Sequence, residues 1–211
     1  MTNIQEKKDL IVLVADQDMY STVDELLQRT KSFGIKEIKY DIYVHPERDP
    51  GCLLRGYVFL RQYVKQYVHG LIMLDLEGCG KEEKKSREKI EKEIEKNLSR
   101  SGWAERAAAV VIDPELEIWV WSDSPHVETI LGWKDRQPEL KNWLIEKGLL
   151  IDGEAKPLKP REAVEKALSV AKIPRSSSLY LQLAQKVSFK NCMDEAFLKL
   201  KTKLQEWFPA A

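Results

Sequence analysis

The chain has 211 residues, 32% of them charged, with Lys+Arg and Asp+Glu balanced at 34 each for a formal net charge of +0. That length suffices to bury a real core in one domain with a helical appendage, and the balanced charge gives no global field to attract nucleic acid or a membrane surface. No stretch approaches the ~18 apolar residues of a membrane span, Met1 to Asp9 lacks the apolar core of a signal peptide, and the expected location is cytoplasmic. Cys52, Cys79 and Cys192 are scattered without CxxC spacing, so neither a disulfide framework nor a zinc site is expected.

Leu10 to Ala15 reads as a buried strand. Met19 to Phe33 places Val23, Leu26 and Leu27 at helical spacing before a stop at Gly34. From Lys36 to Val44, Ile38, Tyr40, Ile42 and Val44 alternate with charged neighbours, the mark of a strand with one wet face at a sheet edge. After a polar loop, His45 to Gly51, an aromatic-rich amphipathic helix is expected over Leu53 to Val68. It leads into Gly70-Leu-Ile-Met-Leu-Asp75, a run apolar enough for a strand buried on both faces. Lys81 to Ser101 is a highly charged helix with Ile90, Ile94 and Leu98 as a narrow apolar stripe; its mixed signs at i, i+4 spacing suggest a solvated face. Ala107 to Ile112 is a further buried strand. The order β-α-β-α-β-α-β predicts an α/β fold with a largely parallel sheet flanked by helices. From Pro125 onward only helical patterns recur, so residues 1–124 are expected as the core and 125–211 as a helical C-terminal cap packed on it. Trp133, Trp143, Trp207 and Phe208 are expected as core anchors.

Chemistry is concentrated where strands end. Asp75 and Glu77 close the third strand, and Asp16 and Asp18 follow the first, so a parallel sheet puts both pairs on the carboxyl edge where open α/β sheets bind ligands. On an extended segment carboxylates at i and i+2 point the same way and can share one hard divalent cation, magnesium or manganese, which prefers oxygen ligands. The competing reading makes Asp75 a helix cap, Glu77 a solvated loop residue, and Asp16 or Asp18 the N-cap of the helix beginning near Met19. After the fourth strand come Asp113, Glu115 and Glu117. Glu117 lies among Leu116, Ile118 and Trp119, where an acid needs a partner: it either completes the acidic cluster or is a structural carboxylate bonded to backbone or to an arginine. Clustering of Arg55, Arg61, Lys65, Arg175 and Lys186 around these acids would favour nucleic acid as a partner. Ser176-Ser-Ser178 reads as a helix cap before it reads as a phosphate contact.

The first strand ending in acids (Leu10 to Asp18), Asp75-Leu-Glu77, and Glu115-Leu-Glu-Ile-Trp119 together resemble the Toprim-like proteins of bacterial defence and overcoming-lysogenization-defect-type nucleases. Ser176-Ser-Ser-Leu-Tyr180, Cys192-Met-Asp-Glu-Ala-Phe197 and Leu204-Gln-Glu-Trp-Phe-Pro209 resemble the carboxyl-terminal pattern of small Toprim-related proteins associated with restriction and phage-defence systems. The resemblance implies a Toprim-like sheet and a role beside other defence proteins. It implies a magnesium or manganese site built from Asp16, Asp18, Asp75, Glu77 and Glu117, with Asp75, Glu77 and Asp16 as the catalytic acids. The chain departs from the pattern at Ala15, where a catalytic Toprim domain carries a glutamate, and at Glu77, where it carries an aspartate. Two functions follow: a defence component acting in a complex and degenerate in catalysis, or a magnesium-dependent nuclease or phosphotransfer enzyme acting on foreign nucleic acid.

Overall fold

The computed structural model describes residues 7–122, 124–188 and 192–210; of the polar amino-terminal stretch, residues 1–6 lie outside it. Four strands form one sheet: β1 (Lys8–Val14), β2 (Tyr40–Val44), β3 (Tyr67–Asp75) and β4 (Ala107–Ile112), in the order β2-β1-β3-β4 with every pairing parallel. The chain is therefore the parallel α/β fold that its alternating pattern predicts. β1 and β3 are interior, which is why Leu10 to Val14 and Leu71 to Leu74 are apolar on both faces and fully buried. The alternating segment becomes β2, at the edge, although its strand begins only at Tyr40.

The helices between the strands are α1 (Gln17–Gln28), α2 (Thr30–Phe33), α3 (Arg48–Arg61) and α4 (Arg87–Leu98). Met19, Val23, Leu26 and Leu27 form the buried stripe of α1. The predicted single helix is broken at Arg29, and Gly34 ends α2 in the left-handed region at φ 70°. α3 starts five residues before the predicted helix and stops well before its end: Tyr67 and Val68 already belong to β3, and the aromatic residues that suggested a helix face, Phe59, Tyr63 and Tyr67, contact one another and Tyr43 across the helix-to-strand junction. β1-α1-β2 and the connection from β2 to β3 run in opposite directions across the sheet. Right-handed crossovers therefore put α1 and α3 on opposite faces, with α4 packed beside α3.

α4 is shorter than predicted and does more than face water. Glu91 is 4% exposed, and its Oε1 accepts the N–H of Val111 at 3.0 Å, while Glu95 Oε1 accepts the N–H of Ala109 at 3.1 Å. These carboxylates satisfy the outward amides of edge strand β4, and Lys199 neutralises both at 3.1 and 2.7 Å.

The second half supplies α5 (Pro125–Ile130), α6 (Leu140–Glu146), α7 (Pro160–Ala171), α8 (Ser177–Lys186) and α9 (Glu195–Trp207). α8 packs on α1 through Leu179, Leu183 and Ala184, and α9 buries Phe197, Leu200 and Leu204. Trp133, Trp143 and Phe208 are buried as expected, with the two indoles 4.6 Å apart. Trp207 is only half-buried and stacks on His69 at 4.6 Å, and the chain end is tied down by a bridge between Ile35 and Pro209. Among the described residues no helix is long and apolar enough to cross a membrane.

Candidate functional site: a carboxylate and arginine cluster at the sheet edge

The carboxyl ends of β1, β3 and β4 meet at one edge, and the acids predicted there separate into different environments. Asp75, the last residue of β3, is 3% exposed. Its Oδ1 accepts the N–H of Leu116 at 2.9 Å, and its Oδ2 faces Arg161 Nη2 at 3.3 Å. Glu77 is exposed in a turn that places Gly78 at φ 87°, and its own N–H bonds to Pro114 O at 2.8 Å. The extended backbone stops at Asp75, so the period of two that would have aimed both carboxylates one way does not reach Glu77.

Asp16 is the N-cap of α1, its Oδ1 accepting the N–H of Met19 at 2.9 Å. Asp18 is bound to the tail: Oδ1 accepts from Ser177 Oγ at 2.6 Å and Oδ2 pairs with Arg175 Nη2 at 2.9 Å. The serine triplet thus opens α8 as predicted, and its middle hydroxyl binds a core acid. Ala15, where the resemblance would expect a glutamate, is 1% exposed and packed in the core.

Glu117, in a short helical turn over Leu116–Trp119, is 1% exposed. Its Oε1 accepts from Tyr180 Oη at 2.7 Å, Arg175 Nη2 at 2.9 Å and Arg161 Nε at 3.2 Å, and Oε2 from Arg161 Nη2 at 3.4 Å. These are the bonds that the structural-carboxylate reading expects, here from two arginines and a tyrosine. Glu115, 3% exposed, accepts the N–H of Arg161 at 2.8 Å through Oε1 and pairs with Arg161 Nε at 3.3 Å through Oε2. It sits at the amino end of α7, where a carboxylate also meets the helix dipole favourably.

Three of these residues were not singled out from the sequence. Asp49 lay in what read as a loop, yet it is in the first turn of α3 and its Oδ1 accepts the N–H of Asp75 at 2.8 Å. Arg161 and Tyr180 come from α7 and α8. Among the five cations suggested for the site, Arg175 joins it, whereas Arg55 pairs with Glu47 at 2.7 Å elsewhere. The one available signal was a repeated dipeptide, Pro160-Arg161 and Pro174-Arg175, each placing an arginine just after a chain-stiffening proline.

Burial pushes the Asp75 carboxyl well above the usual range, with Asp49 and Glu117 adding to the shift and Arg161 opposing it. Burial also raises Asp49 and Glu115. The Tyr180 hydroxyl is raised by burial and by Glu117, so it stays protonated as a donor. Burial acts to lower Arg161, but bonding to Glu117 and attraction to Glu115 and Asp75 outweigh it and hold the guanidinium charged.

Arranged in this way, the edge holds two fixed cations among buried acids. Among the described residues no group of three or more His, Cys, Asp or Glu side chains is arranged to hold a metal ion. Leu116 and Tyr180 also border a cavity of about 960 Å³, whose wall includes Leu26, Val120, Leu183 and Phe197. His45 is buried with Nδ1 accepting the Glu47 N–H at 3.1 Å, and His69 packs on Trp207; neither joins the cluster. No family model, curated protein or solved structure matches this chain.

Proposed function

We propose that this protein is a Toprim-like component of a bacterial anti-phage defence system, acting in a complex with other defence proteins and using the Toprim-like sheet as a scaffold rather than as a nuclease centre. The acids at the ends of β1 and β3 support the family reading, and the observation that carries the non-catalytic reading is Arg161. Its guanidinium lies 3.3 Å from Asp75, 3.3 Å from Glu115 and 3.2 Å from Glu117, so the edge where such a fold would act is closed by the protein's own cap. Ala15 also leaves no carboxylate where the resemblance expects the general base, and loss of such a base typically removes ~10²–10⁴ in rate. The balanced charge adds to this, since Lys and Arg contacts to phosphate supply most non-specific affinity for DNA.

The magnesium-dependent nuclease reading retains one supporting observation, that Asp49 Oδ1 accepts the Asp75 N–H at 2.8 Å and so brings a second acid to the end of β3. Purified protein incubated with plasmid and single-stranded DNA, with magnesium and with manganese, separates the two. The expected result is no cleavage; robust cleavage abolished by Asp75→Ala would promote the nuclease. Phage challenge of a host carrying the source locus, with and without this chain, tests the defence role, and unchanged plating efficiency would refute it.

A further inference from the structure

We infer that the guanidinium of Arg161 is the resident counter-cation of this sheet edge, and that the wild-type protein for this reason binds no magnesium or manganese at Asp75. The inference deepens the non-catalytic reading but stands on geometry that would survive the failure of the defence role. A divalent ion needs several carboxylate or carbonyl oxygens free to converge on it, and magnesium tolerates little departure from octahedral geometry. Here both oxygens of Asp75, and one oxygen each of Asp49 and Asp16, already have donors. Asp75 is held by the Leu116 N–H and by Arg161, Asp49 by the Asp75 N–H, and Asp16 by the Met19 N–H. The residues as placed do not fit the cation that the family resemblance implies.

Arg161 is built into its position rather than resting there. Pro160 precedes it at the start of α7 and accepts the Trp121 Nε1 hydrogen bond at 3.1 Å, while the Arg161 N–H is held by Glu115. The planar fork then spans both Glu117 oxygens at 3.2 and 3.4 Å and still reaches Asp75. A guanidinium cannot release its charge at any ordinary pH, so this neutralisation is permanent, unlike that by a dissociable ion. Among the described residues, Asp75, Glu115 and Glu117 meet no cation from the first 124 positions within ion-pair distance; Arg161 and Arg175 supply their pairs.

The test is metal binding by the full chain, read without any DNA. A site filled at a hundred-fold excess of metal over Kd would raise the melting temperature of a protein this size by roughly 5–10 °C. Manganese titrated into wild type should give no calorimetric heat of binding and a melting shift under about 1 °C, well below that signal. Arg161→Ala should melt lower than wild type and recover part of the loss on adding manganese or millimolar methylguanidinium. If that variant does not fold, Arg161→Lys, which keeps the charge without the fork, should melt between wild type and unfolded and still ignore manganese. Manganese binding by wild type that disappears in Asp75→Asn would overturn the inference, as would an Arg161→Ala protein as stable as wild type.

Discussion

Replacing Glu117 with glutamine tests whether the cluster holds cap to core. The side chain is 1% exposed and receives four donor contacts from Tyr180, Arg175 and Arg161. The amide keeps an oxygen for Tyr180 but removes the charge and turns an NH₂ toward the Arg161 fork. Breaking a buried ion pair typically costs 3–5 kcal/mol, but both arginines retain other acids, Arg161 with Asp75 and Glu115 and Arg175 with Asp18 and Glu165, so the cost should fall to ~2–4 kcal/mol. That is a large share of the ~5–15 kcal/mol of an ordinary domain and corresponds to a melting shift of roughly 4–16 °C. Tyr180→Phe removes only a hydroxyl and should cost ~1 kcal/mol. Urea denaturation followed by tryptophan fluorescence measures each variant, with an unchanged m-value showing that stability alone has moved. The double variant should be less destabilised than the sum of the two, because both remove the same contact. A Glu117→Gln protein within ~0.5 kcal/mol of wild type would mean that the cluster contributes no more than surface pairs do, and would refute the reasoning.

Gly70→Ala should destabilise by ~1–3 kcal/mol, because its Cβ would stand 3.3 Å from three ring atoms of Trp103, which is fully buried, bonded through Nε1 to Leu60 O and covered by Arg106; an unchanged melting temperature would show that the indole can yield. Ending the chain after Pro174 removes Arg175, α8 and α9 with their buried Leu179, Leu183, Phe197, Leu200 and Leu204. At ~25 cal/mol per Å² the loss is several kcal/mol, so the fragment should be insoluble or bind ANS as a molten state, whereas a soluble, cooperatively melting fragment would make the tail a separate module. Asp75, Asp49 and Glu115 are raised by burial from ordinary values of 3.8, 3.8 and 4.5, so their contribution is fully present below those values and is lost as pH rises through the higher folded ones. Urea titrations from pH 4 to 8 should therefore show a shallower loss of stability with rising pH in Asp75→Asn than in wild type, and parallel curves would refute this. His45 and His69 are lowered by burial from 6.5 and act oppositely, their contribution being lost as pH falls below that value.

The sheet was legible because its signals are local. Leu10 to Ala15, Leu71 to Leu74 and Ala107 to Ile112 are apolar without interruption, as only strands covered on both faces can be, and a parallel order follows from the helices between them. The errors fall where the local signal serves two elements. Tyr63 and Tyr67 are edge to face at 5.9 Å, one before and one inside β3, so their spacing fitted a helix as well as the helix-to-strand junction that exists. α4 misled differently: its alternating charges look solvated in isolation, and only the pairing of β4 reveals that Glu91 and Glu95 bind the unpaired amides of an edge.

The site was half legible for a related reason. Each acid stands at a strand end and could be found by position, and Glu117 announced its need for a partner through its apolar neighbours. The partners lie far along the chain: Arg161 is 86 residues from Asp75 and Arg175 is 157 from Asp18. No periodicity connects residues so distant, and in a chain with as many cations as anions every acid has dozens of formal candidates. Both arginines directly follow a proline, whose ring fixes φ at the preceding residue. Pro160 fixes the start of α7 against Trp121, and Pro174 precedes the arginine whose Nε lies 3.1 Å from the Tyr180 hydroxyl. An arginine carried on a fixed backbone loses less side-chain freedom on pairing than one on a mobile loop, so more of the attraction survives as stability. The same argument explains why Arg55, on the exposed side of α3, pairs with Glu47 at 2.7 Å while both remain about half exposed and contribute little. Distance alone makes the two kinds of ion pair look alike; burial and backbone anchoring separate the pair that decorates the surface from the pairs that close the edge of the sheet.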